Sequence, residues 1–153
     1  MRRIVLCGLV AVAGLYAAPI AKASDDSVRA VVVQQAKRQI KEDKRFGKAM
    51  QHLRSRAGLK KASAAAGRQA ASVKMWADAL RAEQADTPSV AKGRLQMLSA
   101  LNLYTRGIRK LQKAIRQALH SGGSSGYGRA RAAFQNMSTA SKKVEKAART
   151  MAR

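Results

Sequence analysis

The stretch MLSALNLYTRGIRKLQKAIRQA, Met97 to Ala118, decides how this chain reads. Its apolar positions are Met97, Leu101, Tyr104, Ile108, Leu111, Ile115 and Ala118. The steps alternate four and three, so all seven share one stripe of an amphipathic helix. With Met97 at heptad position d and Leu101 at a, the cations Arg106, Arg109, Lys110, Lys113 and Arg116 all fall at b, c or f. One face is apolar, and every charge on the opposite face is positive. The rest of the chain is expected to cover the first face and extend the second.

Upstream, Ala85-Asp86-Thr87-Pro88 is the clearest boundary. Thr87 suits an N-cap, and Pro88 suits the first helical position, where its missing N–H costs nothing. The helix that follows is expected to reach about His120, interrupted mildly by Gly93 and Gly107. Before it, a helix is expected from about Lys61 to Gln84. Its first half is very small in side-chain bulk (Ala62, Ala64, Ala65, Ala66, Gly67, Ala70, Ala71), and its second half carries Val73, Trp76, Ala77 and Leu80 at helical spacing. Trp76, the single tryptophan, lies on that stripe and is expected inside.

A first helix is expected to start in Ser24-Asp25-Asp26-Ser27, whose hydroxyls and carboxylates suit a positive helix N-terminus. Its apolar set is Val28, Val32, Ala36 and Ile40, then Phe46, Met50 and Leu53, with a phase slip near Asp43 and Gly47. Gly58 is the expected left-handed stop, with Leu59 folding back on Leu53. Downstream of the central helix, Ser121-Gly122-Gly123-Ser124-Ser125-Gly126 reads as a linker. A fourth helix follows, from Tyr127 to Met151, with a seam at Tyr127, Ala130, Phe134, Met137, Ser141, Val144, Ala148 and Met151. Arg129, Lys142, Lys143, Lys146 and Arg149 fall mainly on its outer face. The fold expected is all-α, an up-down antiparallel bundle of about four helices.

The N-terminal segment reads differently. Met1-Arg2-Arg3 is a short positive region, Ile4 to Ile20 is largely apolar, and Ala21-Lys22-Ala23 is an A-x-A site. The expectation is a signal peptide over residues 1–23, cleaved after Ala23, with a retained anchor as the rival. The domain proper is then 24–153, and its place is secreted, periplasmic or in the cell envelope. Cys7, the only cysteine, falls within the leader, so disulfides and thiol chemistry have no residue to use in the remainder.

The full chain has 31 Lys+Arg against 8 Asp+Glu, a formal +23. Such an imbalance repels itself and favours anionic partners. From Thr87 to Val144 there is no acidic residue at all. Like charges at Arg106–Lys110 and Arg109–Lys113 each cost an isolated helix about 0.2–0.5 kcal/mol. A structural bundle alternating Glu with Lys would avoid that cost, so a cationic binding face is the reading. The residues proposed for it are Arg106, Arg109, Lys110, Lys113 and Arg116 with Lys142, Lys143, Lys146 and Arg149. Lys37, Arg38, Lys41, Lys44, Arg45 and Lys48 add to it, partly offset by Glu42 and Asp43.

No catalytic pattern emerges, and the expectation is not an enzyme. His52 and His120 are single and sit near helix ends, where the dipole favours them. Asp78 is expected to answer Lys74 and Arg81 on its own helix. No metal, cofactor or small-molecule substrate is expected. The expected partner is an anionic polymer or surface: a glycan, a wall polymer, nucleic acid or anionic lipid. A protein partner or a second copy of the chain on the heptad seams is the alternative, and membrane activity of basic amphipathic helices is a third reading.

Overall fold

The computed structural model of the chain describes residues 23–53, 55–121 and 125–151. The leader expected over 1–23 and the centre of the glycine linker, 122–124, lie outside the described residues, apart from the backbone of Ala23. The fold is all-α and consistent with a helical bundle. Its four helices are α1 (Ala23–Met50), α2 (Arg56–Ala82), α3 (Pro88–Ser121) and α4 (Ser125–Met151). Among the described residues there is no strand, and no helix long and apolar enough to cross a membrane.

The seam of α3 holds as read: all seven of its residues are buried. Leu101, Ile108, Leu111 and Ile115 are at most 2% exposed. Each such side chain contributes about 1.5–3 kcal/mol on burial. α3 packs against α2 on one flank and most extensively against α4 on the other, while α1 packs mainly on α2. Named contacts give the directions. Gln112 of α3 donates to the Ser63 carbonyl of α2 (3.1 Å), and Arg94 donates to that of Leu80 (3.2 Å), so these helices are antiparallel. Ser27 and Ser72 donate to Glu83 and Gln39, which sets α1 antiparallel to α2. Gly107 of α3 meets Met137 and Gly93 meets Met151, which sets α4 antiparallel to α3.

Those two glycines are receptors for methionine knobs rather than mild interruptions. Gly93, Ala100, Gly107 and Ala114 recur every seven residues on α3, and Ala133, Ala140 and Ala147 do so on α4. All seven of these small residues are buried to 4% exposure or less or face a methionine directly. Small columns allow close backbone approach. A Cβ added at Gly93 would stand 2.2 Å from Met151 Cγ, and one at Gly107 would stand 2.9 Å from Met137 Cγ. The α4 seam as read is therefore only part of its contact surface. Met137, Val144, Ala148 and Met151 are buried, and the alanine column is added to them.

Three local expectations are corrected. α1 has no phase slip, because its inward stripe runs Val28, Val32, Ala36, Gln39, Asp43, Phe46. The slip arises from reading only apolar residues as core, whereas Gln39 (1% exposed) and Asp43 (8%) occupy two core positions. Gly58 does not stop α1. It lies in the first turn of α2, where Ser55 is the N-cap and accepts from the Gly58 N–H at 3.0 Å. A glycine is needed there because an added Cβ would fall 1.6 Å from the His52 carbonyl oxygen. Leu59 accordingly belongs to that same first turn, its N–H bonded to the Ser55 carbonyl at 2.9 Å.

Thr87 does precede α3, but its hydroxyl is engaged elsewhere. It donates to Asp25 Oδ2 at 2.7 Å, and Asp25 Oδ1 accepts the N–H groups of Asp86 (2.8 Å) and Thr87 (3.2 Å). The first turn of α1 thus closes the α2–α3 connection. Burial pushes the Asp25 carboxyl up, but the hydrogen bonds from Thr87 and Asp86, aided by Arg29, outweigh it and hold it below the usual carboxylate range. Arg29, one turn on, donates to the Met151 carbonyl at 3.2 Å and so ties α1 to the last turn of α4.

Candidate anion-binding surface

All nine cations read from the sequence are exposed. The heptad places them there: on α3 they occupy positions opposite a seam that α2 and α4 cover. Among the described residues, none of Arg106, Arg109, Lys110, Lys113 and Arg116 lies within ion-pair distance of a carboxylate. On α4, Arg149 is bridged to Glu145 at 2.5 Å, while Lys142, Lys143 and Lys146 have no such bridge among the described residues. Arg129 lies in the first turns of α4, and its side chain is outside the described residues.

The nine are spread along the α3–α4 pair rather than gathered at one level. Met137 sits beside Gly107 and Met151 beside Gly93, so Lys142 to Arg149 run alongside the first half of α3. Arg106 to Arg116 occupy its second half. The centres of the two groups are offset by about 20 Å along the helix pair, from a rise of about 1.5 Å per residue. The two groups come nearest at mid-hairpin, where Lys142 and Arg106 differ in level by about 6 Å, and diverge to Arg149 and Arg116 toward its two ends.

What joins the α3 group instead is α2, which the sequence reading left out. Gln112 reaches Ser63 and stands 3.0 Å from where a Cβ on Gly67 would be. Arg109 and Arg116 are three before and four after Gln112, hence on the α2 side of the exposed face. Lys60 lies seven before Gly67 on the corresponding stripe of α2, and is exposed together with Lys61 and Arg68. The signal for this partnership was present as an acid-free run, since no Asp or Glu occurs between Asp43 and Asp78.

Of the α1 cations, Arg45 is offset by Glu42 at 2.7 Å as expected. Asp43 offsets none of them, because it points inward. There it accepts from Gln39 Nε2 (3.0 Å) and from Gln69 Nε2 of α2, and Gln69 Nε2 also approaches Tyr104 Oη of α3 at 3.4 Å. Ser72 completes the group by donating to Gln39 at 3.0 Å. Desolvation raises the Asp43 carboxyl above its ordinary range despite these bonds, and burial likewise raises the Tyr104 phenol. Gln69 Oε1 is buried with no partner, so one acceptor in this cluster is unsatisfied. The cluster registers three helices at one level.

The remaining acids are spent locally. Asp78 bridges Lys74 at 2.6 Å and Arg81 at 2.5 Å, as expected from their spacing. Lys74 first, and Arg81 with it, hold the Asp78 carboxyl below its usual range. His120 Nδ1 lies 2.7 Å from the Arg116 carbonyl in the last turn of α3. Among the described residues no group of three or more His, Cys, Asp or Glu is placed to hold a metal ion. The α3 seam proposed as a protein-docking stripe is covered by the chain's own helices. Among the described side chains, the large apolar ones left exposed are Met75 (61%) and Leu95 (62%).

Comparison with known proteins finds no matching family model, no similar curated protein and no similar solved structure.

Proposed function

We propose that this is an exported, non-enzymatic helical protein that holds anionic polymers or surfaces through its cationic faces. Residues 1–23 serve as its leader and 24–153 as an up-down antiparallel bundle, working secreted, in the periplasm or in the cell envelope. The observation that carries the reading is the row Arg106, Arg109, Lys110, Lys113, Arg116. These five cations are exposed, lack a carboxylate within ion-pair reach among the described residues, and lie on a helix segment without acids. Long-range repulsion among them lowers the stability of the free protein, and an anionic ligand relieves it.

Binding to heparin, duplex DNA and anionic vesicles, titrated with salt, tests this. Charge-driven binding weakens steeply as salt rises. An absence of binding to all three at low salt refutes the reading.

A second reading, self-association or docking of a protein, draws on the exposed Met75 and Leu95. Sedimentation that shows a monomer over a wide range of protein concentration counts against the self-associating form.

A further inference from the structure

The buried cluster Asp43–Gln69–Tyr104 marks one level across α1, α2 and α3. Beyond it, toward the α1–α2 turn, the sequence has no carboxylate on any of the four helices. On the other side lie Asp25, Asp26, Asp78, Glu83 and Asp86, with Glu145 of α4 below the Met137–Gly107 contact, while Glu42 stands at the boundary beside Asp43 and bridges Arg45. Folding therefore sorts the acids to one half of the molecule, although in sequence they are scattered from 25 to 145. The acid-free half presents the five α3 cations, Lys60, Lys61 and Arg68 of α2, and the last turns of α1 with Lys44 and Lys48, all exposed.

We propose that this acid-free half, centred on the α2–α3 face, binds double-stranded nucleic acid through its phosphate backbone. The inference rests on the polyanion reading above and narrows it to one ligand and one end of the molecule. Three observations select the ligand. The cations stand on packed helices at set intervals, and Arg106 to Arg116 span about 15 Å at about 1.5 Å per residue. Fixed charge spacing suits a stiff ligand with regular phosphates better than fluid lipid headgroups or a flexible chain, which would have to be ordered on binding. Second, the three aromatics whose side chains are described, Phe46, Trp76 and Tyr104, are buried, so none of these offers a platform for stacking unpaired bases. Third, the large apolar residues exposed among the described side chains, Met75 and Leu95, both lie on the acid-bearing side of the Asp43 level, so neither serves as an apolar wedge for a bilayer at this end. Arginines at 68, 106, 109 and 116 add guanidinium forks, which match phosphate oxygens two at a time.

The experiment uses the whole protein and a mixed-sequence duplex of about 20 base pairs, with affinity followed over a salt series. Its variants replace the α3 five, the α2 trio (K60Q, K61Q, R68Q) or the α4 four (K142Q, K143Q, K146Q, R149Q), and circular dichroism checks that each is folded. Each cation that neutralises a phosphate contributes about 0.9 to the slope of log affinity against log salt. The expected slopes fall by up to about 4.5 for the α3 variant and about 2.7 for the α2 variant. The α4 variant, which removes four charges, should change the slope by less than about 1. An α4 effect as large as that of α2 overturns the assignment to this end, since the loss would then follow total charge alone. Binding to heparin or to phosphatidylglycerol vesicles without binding to the duplex overturns the choice of ligand while leaving the broader reading intact. Failure to bind any of the three removes both.

Discussion

At Gly93 and Gly107, two effects of opposite sign compete. Alanine is favoured over glycine inside a helix by about 1 kcal/mol. At Gly93 the added Cβ would meet Met151 Cγ at 2.2 Å and backbone atoms of Met151 and Ala147 at 3.2 and 3.3 Å. A side chain can turn away but the backbone of α4 has to shift, so G93A should be destabilising by about 1–3 kcal/mol. At Gly107 the backbone atoms stand at 3.6 and 3.7 Å, and only Met137 Cγ is close. There G107A should be near neutral. Urea denaturation of the two variants checks this, and equal losses would show that α4 does not sit as closely as described. Asp43 offers a second comparison. Replacing it with Asn keeps an acceptor for Gln39 and Gln69 and removes a buried charge, whereas Leu leaves both amides without a partner at about 1–3 kcal/mol. At neutral pH D43N should melt at or above the wild-type temperature and D43L well below it.

The pH dependence of these two buried carboxylates runs in opposite directions. Asp43 has its carboxyl raised in the fold, so the native state favours its protonated form. Its unfavourable contribution develops as pH rises from the unfolded value of 3.8 through the raised one and is complete above that. Asp25 has its carboxyl lowered, so its stabilisation is full above 3.8 and is lost as pH falls through the native value. D25N should therefore flatten the acid limb of a stability–pH curve. D43N should remove a loss of stability that sets in on going from acid toward neutral pH. Identical curves for both variants would contradict the assignment.

At the scale of elements, the first turn of α1 acts as a clasp. Asp25 closes the α2–α3 connection, Ser27 donates to Glu83 at 2.6 Å, and Arg29 holds the end of α4. Removing the Asp25 carboxylate leaves the N–H groups of Asp86 and Thr87 without their buried acceptor. D25A should cost about 1–3 kcal/mol and speed amide exchange at Asp86 and Thr87, with the α1–α2 turn unaffected. Exchange that rises equally at both ends of the bundle would mean the clasp is not local. The helices differ in how they are held. α3 contributes Leu and Ile side chains to its seam, while the described buried side chains of α4 are alanines, two methionines and Val144, which makes close approach to α3 important there.

For the whole molecule, the decisive quantity is a formal charge of +23 with the acids segregated. At about 0.1 M salt, charges further apart than about 10 Å are largely screened. Raising salt should therefore raise the melting temperature of the free protein, and a bound polyanion should raise it further by linkage. A melting temperature that falls steadily from low to moderate salt would show that the ion pairs, such as Lys74–Asp78 and Arg149–Glu145, outweigh the repulsion.

The sequence by itself determined the four helices, the buried seam of α3 and the outward direction of its cations, because a period of 3.6 residues sets which side chains share a face. It did not determine which faces meet. The heptad placed Arg116 and Arg149 both on outer faces, but the antiparallel register of α3 and α4, set by Met137 on Gly107 and Met151 on Gly93, carried them toward opposite ends. Apolar periodicity also missed Gln39, Asp43 and Gln69, because a polar residue reads as surface until a partner from another helix satisfies it in the interior. The placing of Lys60 on the α2 stripe beside the α3 cations and the sorting of acids from free cations belong to the tertiary structure for the same reason. They depend on contacts between residues far apart in the chain, and local periodicity carries no information about those.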